Sequence, residues 1–270
     1  MKRKAVVIVI AVMILVLAIS SIAGAQEDDR KVIRVASNVT LPYEIFWDGD
    51  EIHGYEADVY FEVLRRAGYE VEVTDLAFAG ILPGLLAEKW DLACSNIFIT
   101  AERMEEMDFC DPYNESFEKM ITLWDSEVES FDDLKGKTVG AETGTSQAMW
   151  VASLQEKYGP FEIKTYDDRA TQYLDLDTGR IDALAGGNSS GMTGDEPGTY
   201  RLIGVSEDNS MISCAVRKGD PLKDIFNKYL NEMKEEGATA ALYEKYYGEK
   251  APEHSAITDV FTEPYVPEKH

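Results

Sequence analysis

The chain is poor in cysteine, in histidine and in basic residues. It has 270 residues but only three cysteines and three histidines, whose spacings fit no zinc motif. Lysine and arginine together number 26 against 50 aspartates and glutamates, which gives a formal net charge of −24. So acidic a chain does not attract nucleic acid or an anionic membrane surface. We therefore expect no metal ion, no other cofactor and no nucleic-acid partner.

The cysteines, Cys94, Cys110 and Cys214, are odd in number. An exported protein can form disulfides, but an odd count leaves one thiol unpaired. Cys94 and Cys214 each lie in an apolar, strand-like run. The sequence therefore favours small buried hydrophobic side chains at these positions and establishes no pairing.

Long apolar runs are also scarce, and the clearest one lies at the N-terminus. Basic residues 2–4 precede an apolar run over residues 5–19 and the small-residue motif Ala23-Gly24-Ala25. This is the pattern of a secretory signal peptide. The run is shorter than the roughly 18–20 residues of a membrane span, so a membrane anchor is the less favoured alternative. We expect residues 1–25 to be removed and the mature chain, from about Gln26, to be periplasmic.

Strand-like and helix-like segments alternate along the mature chain. Residues 31–37 and 69–75 are predicted to be strands, and residues 60–67 carry apolar side chains at helical spacing. The same alternation recurs over residues 138–185. This order predicts an α/β fold in which mostly parallel sheets are flanked by helices. Residues 222–247 then predict two closing helices.

A short motif occurs twice, in Leu85–Asp91 and in Leu176–Asp182. Each copy has a leucine, a basic residue four positions later and an aspartate two positions after that. Each copy also marks the end of a predicted helix and the start of a strand. The repeat suggests two similar lobes.

Four motifs follow one another between Gly80 and Tyr113. They are Gly80-Ile-Leu-Pro-Gly-Leu85, Lys89-Trp-Asp91, Thr100-Ala-Glu-Arg103 and Asp108-Phe-Cys-Asp-Pro-Tyr113. With these motifs the chain resembles the solute-binding proteins of family 3, bilobed receptors that deliver amino acids to ABC importers. Each motif alone is weak evidence, whereas four in order at compatible spacing are specific.

The resemblance implies a two-lobed type II periplasmic-binding-protein fold, with a mostly parallel sheet in each lobe and two crossover hinge segments. The expected parts are a first lobe over residues 26–122 and 211–248, a second lobe over 123–210, and a tail over 249–270. The crossings are expected near Thr122–Trp124 and Asn209–Ser213. The implied partners are a small-molecule carboxylate and an ABC transporter permease, and we expect a monomer.

The resemblance also implies a ligand-binding site. Arg103 matches the arginine that holds the ligand's α-carboxylate, for which its planar fork suits two parallel hydrogen bonds. Without the motif, an ion pair with a neighbouring glutamate would be the simpler interpretation. Gly144-Thr145-Ser146 matches the second-lobe partner of the carboxylate, and a plain helix N-cap is the alternative. The complete predicted set is Asn38, Tyr43, Phe78, Asn96, Phe98, Arg103, Glu142, Gly144, Thr145, Ser146 and Asn188.

The remaining members of the set surround the ligand body. Tyr43 and Phe78 match aromatic positions that clamp it, and Asn38 matches a polar position that reads the ligand side chain. An isolated aromatic residue more often belongs to the core, so the matched positions carry this assignment.

Two positions depart from the family pattern. Phe98 occupies the place of a hydroxyl that binds the ligand's ammonium, and Gly187 occupies the place of an aspartate with the same role. Either other groups hold the amine, with Glu142 and Asn188 the nearest candidates, or the ligand has no free α-amine. The departures favour a carboxylate whose amine is blocked, ring-bound or absent.

An enzyme is the alternative function. A few relatives, such as the cyclohexadienyl dehydratases, use the same cleft for elimination chemistry, which needs a positioned acid or base. Glu142 is the only obvious candidate, and the sequence shows no Ser/His/Asp or Cys/His set. The sequence therefore predicts a binding protein rather than a lyase.

Overall fold

The computed structural model describes residues 30–187 and 199–267. The predicted signal peptide and Asn188 lie outside these ranges. The strands are β1 (Val32–Ser37), β2 (Thr40–Leu41), β3 (Ile45–Asp48), β4 (Glu51–His53), β5 (Glu70–Asp75), β6 (Leu92–Ala93), β7 (Met107–Phe109), β8 (Asn114–Ser116), β9 (Lys119–Leu123), β10 (Thr138–Glu142), β11 (Glu162–Tyr166), β12 (Ala183–Gly186), β13 (Tyr200–Val205), β14 (Ser210–Ile212) and β15 (Ala215–Arg217). The helices are α1 (Tyr55–Arg66), α2 (Phe78–Leu86), α3 (Ala101–Glu106), α4 (Ser146–Tyr158), α5 (Arg169–Asp177), α6 (Leu222–Glu235) and α7 (Ala238–Tyr247).

The first five-stranded sheet has the strand order β5-β1-β6-β15-β7. Strand β1 is parallel to β5 and β6, whereas β15 is antiparallel to β6 and β7. Ile33 and Val35 are buried on one face of β1, because successive side chains of a strand point to opposite faces. Helices α1, α6 and α7 pack on that face, and α2 covers the other. We call the part of the chain built on this sheet lobe 1.

The second sheet repeats this plan with the order β11-β10-β12-β9-β13. Strand β10 is parallel to β11 and β12, and β9 is antiparallel to β12 and β13. Helix α4 contributes Val151 to the core on one face, and α5 contributes Leu176 to the core on the other. We call the part built on this sheet lobe 2. The predicted α/β architecture of parallel strands flanked by helices is confirmed.

The two copies of the short sequence repeat make the same hydrogen bonds. Asp91 accepts from the backbone N–H of Arg34 at 3.1 Å, and its own N–H donates to the Arg34 carbonyl at 2.8 Å. Asp182 accepts from the N–H of Thr138 at 2.8 Å and donates to the Thr138 carbonyl at 2.8 Å. Each aspartate thus fixes the chain to the middle parallel strand of its sheet.

Two short strands connect the lobes. Strand β8 follows the lobe 1 strand β7 and precedes β9, and β14 returns the chain from β13 to β15. The two pair antiparallel, with Met211 opposite Glu115. A first crossing was expected near Thr122–Trp124, but Thr122 already pairs with Arg201 in the second sheet. The pairing of β9 therefore favours a boundary before Lys119, and the predicted domain limits stay a prediction.

A disulfide joins Cys94 to Cys214, so the expectation of unpaired side chains at these two positions is wrong. The reason lies in the sheet, where Ala93 of β6 pairs with Ala215 of β15. This pairing leaves the two cysteine Cα atoms 4.6 Å apart, within the range that a disulfide spans. Cys110 has a free, buried thiol, as the odd count required.

The C-terminal tail packs against lobe 1. Ala256 and Ile257 are buried, and the carbonyl oxygen of Ile257 accepts a hydrogen bond from the Thr239 hydroxyl at 2.7 Å. Lys234 donates to the carbonyl oxygen of Asp259 at 2.8 Å. The tail, whose role the sequence left unknown, therefore belongs to the folded body. Within residues 30–187 and 199–267, no helix has the length and apolar character that crossing a membrane requires.

Candidate ligand-binding site

One cavity is lined by residues of both lobes. Eight of the predicted site residues line it: Asn38, Phe78, Asn96, Phe98, Arg103, Glu142, Thr145 and Ser146. The cavity therefore brings together residues that are separated by more than a hundred positions in the sequence. In the described part of the chain, no group of three His, Cys, Asp or Glu side chains is arranged to hold a metal ion.

Arg103 lies in α3, a short helix whose N-cap is the Thr100 hydroxyl. Only 7% of Arg103 is exposed. Its Nη1 donates to the carbonyl oxygen of Phe98 at 2.7 Å, and its Nη2 donates across to the carbonyl oxygen of Gly144 at 3.0 Å. The ring of Phe78 lies 5.7 Å from the guanidinium carbon. The arginine is thus held rigidly at the junction of the two lobes.

Arg103 keeps its positive charge although burial lowers the pKa of its guanidinium. Burial lowers this pKa to about 10, while the carboxylates of Glu102 and Glu118 partly offset the shift. The side chain stays protonated at neutral pH. Among the described residues, no carboxylate forms an ion pair with it, so the simpler interpretation as a surface ion pair does not hold.

The Gly144-Thr145-Ser146 segment forms the start of α4. The Thr145 hydroxyl accepts from the backbone N–H of Ala148 at 3.2 Å and donates to the carbonyl oxygen of Glu142 at 2.7 Å. Thr145 is therefore an N-cap that also lines the cavity. Gly144 has φ +80°, a left-handed conformation that favours glycine. Its carbonyl oxygen, rather than a side chain, contributes to the site.

Asn38 and Glu142 meet across the cavity. The Asn38 side-chain nitrogen donates to Glu142 Oε1 at 3.4 Å, and its backbone N–H donates to the Ser95 hydroxyl at 3.1 Å. Burial raises the pKa of Glu142, Arg169 lowers it and Asp168 raises it further. The wall around Glu142 therefore combines a carboxyl group with an amide that can accept or donate.

The structure places Tyr43 outside this cavity. Tyr43 has φ +66°, and its ring stacks on Tyr247 of α7 with 6.0 Å between the centroids. The left-handed turn directs the ring away from the site, and Leu41 lines the cavity instead. The position of Tyr43 therefore does not support its assignment to this cavity.

Two polar side chains lie beside Gly187, the predicted Asn96 and also Gln147, which the sequence did not single out. A β-carbon added at Gly187 would lie 3.5 Å from Gln147 Nε2, 3.7 Å from Asn96 Nδ2 and 3.8 Å from Phe98 Cζ. Two amides and a ring thus surround the position where the family carries an aspartate. Gln147 directly follows Ser146, and this adjacency was the signal available in the sequence.

Other lining residues were also missed. They are Leu41, Ser95, Arg169, Gln172, Ala185 and Gly186, and Gly187, which the sequence named only as a departure from the family pattern, lines the cavity as well. Gln172 donates to the carbonyl oxygen of Ala185 at 3.2 Å and thereby supports the wall. Arg169 is the first residue of α5, directly after the N-cap Asp168. This position at a helix start was the only sign in the sequence that Arg169 could line the cavity. Asn188, a predicted member, lies outside the described residues.

The chain is similar to known proteins over most of its length. The family model of the bacterial extracellular solute-binding proteins, family 3, matches residues 33–249. The arginine-binding extracellular protein ArtP of Bacillus subtilis is 31% identical over 86% of this chain and 92% of its own length. The L-cystine-binding protein TcyJ of Escherichia coli is 30% identical over 77% and 79%.

A solved structure shows the same fold. An ancestral arginine-binding protein bound to arginine superposes with a TM-score of 0.76 at 29% identity, covering 82% of this chain and all of the other. The predicted type II periplasmic-binding-protein fold is thereby confirmed. Because the family model spans most of the chain, the protein belongs to the bacterial extracellular solute-binding proteins of family 3.

Proposed function

We propose that this protein binds an amino acid, or a derivative that keeps the carboxylate, in the cavity between its lobes and delivers it to an ABC importer. The buried guanidinium of Arg103 is the observation that carries the proposal. A buried charge is costly unless it is paired, and no described carboxylate pairs with this one. A ligand carboxylate would supply the missing partner through charge-assisted hydrogen bonds.

The other lining residues have consistent roles in this proposal. Thr145 and Ser146, at the start of α4, lie where unpaired backbone N–H groups favour an anion. Phe78 supports the guanidinium, and Asn38 and Glu142 face the side chain of the ligand. The names of the relatives support the ligand class, since arginine and cystine both carry α-carboxylates.

Closure of the lobes would couple binding to transport. The hydrogen bonds from Arg103 to Gly144 and from Asn38 to Glu142 already join lobe 1 to lobe 2. The paired strands β8 and β14 are the segments about which the lobes would move. A ligand that contacts both lobes shifts the protein towards the closed form, which the permease would recognise.

Export and assembly follow from the same proposal. The signal peptide over residues 1–25 would send the chain to the periplasm, where it would act as a monomer. Glu142 is the one carboxyl group among the described residues of the cavity wall, so the wall lacks a second acid or base at hand for elimination. We therefore propose binding without turnover.

Native mass spectrometry of the mature protein, purified without refolding, tests the proposal by identifying the co-purified ligand. Calorimetry with the standard amino acids then gives affinities. We expect an amino acid or a close derivative, bound one to one. Prephenate-like acids added to the protein should stay unconverted. A ligand without a carboxylate, or catalytic conversion of those acids, would overturn the proposal.

A further inference from the structure

The C-terminal tail lies outside the part of the chain that the family model matches. That part ends at residue 249, and the structure describes residues 250–267 as a packed segment. Ser255, Ala256 and Ile257 are at most 4% exposed, and Ile257 belongs to the main hydrophobic cluster of lobe 1. The tail is therefore an addition to the family fold that is anchored in a core.

Two closing helices fasten the tail next to the first crossing between the lobes. The buried ammonium of Lys234, in α6, donates to the carbonyl oxygen of Asp259 at 2.8 Å and to that of Pro112 at 2.6 Å. Pro112 lies shortly before β8, the strand of the first crossing. The Thr239 hydroxyl of α7 donates to the carbonyl oxygen of Ile257 at 2.7 Å. One buried cation thus holds the tail and the start of the crossing together.

The tail also reaches both strands that connect the lobes. The backbone N–H of Ala256 donates to Glu115 Oε2 of β8 at 2.8 Å. Tyr265, further along the tail, packs against the second hydrophobic cluster of lobe 1, and Met211 of β14 packs against the same cluster. Met211 lies opposite Glu115 in the strand pair. The tail therefore holds β8 directly and β14 through a shared cluster.

On the other side of the crossing, the second sheet continues beyond β9 and β13. The backbone N–H of Ser206 donates to the carbonyl oxygen of Glu118 at 2.9 Å, and the N–H of Glu118 donates to the Ser206 hydroxyl at 3.0 Å. These two residues therefore move with lobe 2. Between them and the pair of β8 and β14 lie Phe117 on the first crossing and residues 207–209 on the second.

We infer that residues 250–267 are a strap that fixes β8 and β14 to lobe 1, so that the lobes turn about Phe117 and residues 207–209 and open only narrowly. This inference rests on the proposed function, because it concerns the motion that ligand binding would use. Hinges are a few residues whose φ and ψ angles absorb a whole rotation. When two strands are removed from that set, less rotation is available.

The end of the strap lies where the lobes would separate. Residues 265–267 line a groove of about 1080 Å³ together with α3 of lobe 1 and α4 of lobe 2. Opening would move these two helices apart and widen the groove. A strap that restricts this movement keeps the ligand-free protein near its closed form. Because the affinity for a ligand falls with the fraction of protein that is ready to bind it, the strap should strengthen binding.

Two substitutions release the strap from the connecting strands without shortening the chain. The residues 255–258 form a turn in which the N–H of Thr258 donates to the carbonyl oxygen of Ser255 at 3.1 Å. Proline is common at the second position of such turns. Ala256→Pro therefore suits the turn but removes the N–H that Glu115 accepts. Tyr265→Ala removes the ring from the shared cluster, and Val260→Ala, at an exposed position of the tail, is the control.

Hydrogen exchange of the ligand-free mature protein tests the strap without any ligand. In the double variant Ala256→Pro/Tyr265→Ala, the amides of residues 114–116 and 210–212 should exchange at least about tenfold faster than in wild type. The amides of β1 and β10 should exchange at the wild-type rate. Small-angle X-ray scattering should give the double variant a larger radius of gyration. Each single variant should show part of both effects, and provides the test should the double variant not fold.

Calorimetry with L-arginine then connects the strap to binding. The double variant should bind about three- to tenfold more weakly than wild type, and Val260→Ala should bind equally well. If L-arginine and the other standard amino acids do not bind wild type, the proposed function fails for them, while exchange and scattering still decide on the strap. Unchanged exchange at residues 114–116 and 210–212, an equal acceleration in β1, or an unchanged radius of gyration would overturn the inference.

Discussion

The guanidinium of Arg103 donates to the carbonyl oxygen of Gly144 at 3.0 Å, and this hydrogen bond joins α3 of lobe 1 to the loop before α4 of lobe 2. A carboxylate is a stronger acceptor than a peptide carbonyl. A ligand carboxylate would therefore compete for the same donor and hold the lobes together through itself. The same side chain would then serve binding and closure.

Replacement of Arg103 by alanine should abolish measurable ligand binding while the protein stays folded. Two charge-assisted hydrogen bonds would be lost, which corresponds to at least about a hundredfold in affinity. Arg103→Lys should restore little, because a point charge lacks the two-pronged geometry. Calorimetry with the co-purified ligand measures the effect, and Arg65→Ala, an exposed arginine, is the control. Unchanged affinity in Arg103→Ala would exclude this residue from the site.

Glu142→Gln should weaken the binding of L-arginine more than that of L-glutamine. The carboxylate attracts a cationic side chain, whereas an uncharged one loses little. Because burial raises the pKa of Glu142, arginine affinity should fall as the pH decreases through that raised pKa. Titrations of both amino acids at several pH values check this. Glu156→Gln, an exposed glutamate of α4, is the control, and equal losses for both ligands would contradict the expectation.

Protonation of Glu56 should make stability depend on pH. Burial raises the pKa of Glu56 from 4.5 to about 8, with a further increase from Glu44 and a partial decrease from the Tyr113 and Asn96 hydrogen bonds. Tyr55 and Tyr60 also face it. The folded state therefore binds more protons than the unfolded state between these values.

It follows that the free energy of unfolding contributed by Glu56 falls as pH rises through this window, by about 1.4 kcal/mol per unit of pKa shift at most. Glu56→Gln stays neutral and should gain on wild type as the pH rises from about 5 to about 8. Urea unfolding of both proteins over that range measures the difference. A difference that does not vary with pH would show that Glu56 does not titrate there.

Loss of the Cys94–Cys214 disulfide should destabilise the protein substantially. The bridge joins residues 120 positions apart, and a loop of that size restricts the unfolded chain by about 4–5 kcal/mol in the chain-entropy description. We expect Cys94→Ala/Cys214→Ala to lower the free energy of unfolding by about 2–5 kcal/mol in urea. A reducing agent should have the same effect on wild type and none on the double variant. An equally stable double variant would show that the bridge is not formed.

Gly84→Ala should destabilise lobe 1. A β-carbon there would lie 2.0 Å from Trp90 Cζ2 and 2.3 Å from Trp90 Cη2, so the indole would have to shift. Its Nε1 is held by the carbonyl oxygen of Ile81 at 2.9 Å, which opposes that shift. We expect a loss of about 1–3 kcal/mol, partly recovered when Trp90→Phe removes the clashing atoms. Gly68→Ala would create no such contact, but the φ of +85° at Gly68 would strain an alanine there. Gly80→Ala, whose β-carbon would make one contact at 3.0 Å, is therefore the better control variant.

The sequence predicted those helices and strands that are long enough for their apolar residues to show a regular spacing. The apolar spacing over residues 60–67 and the alternation over 69–75 agree with α1 and β5, because burial of one face imposes a period. Strands β2, β4 and β8, of two or three residues, are too short to show a period. The repeated aspartates at 91 and 182 were visible, but their shared hydrogen bonds were not.

The site was predicted less completely than the fold. Arg103, Thr145 and Ser146 belong to linear motifs, and the structure brings them to one cavity. Tyr43 lies outside that cavity, because a left-handed turn that the sequence did not predict redirects its ring. Gln147 and Gln172 acquire their places from the packing of α4 and α5 on the second sheet. Such tertiary neighbours cannot be read from spacing along the chain.

The disulfide has a topological consequence as well. Cys94 follows β6 and Cys214 precedes β15, which are neighbouring strands of the first sheet, and every strand of the second sheet lies between the two cysteines in the sequence. Lobe 2 is thus an insertion in lobe 1, and the disulfide, which lies in lobe 1, covalently links the chain before the insertion to the chain after it. A protease that cuts once anywhere in lobe 2 would leave the fragments joined. The nick would become visible on a denaturing gel only after reduction.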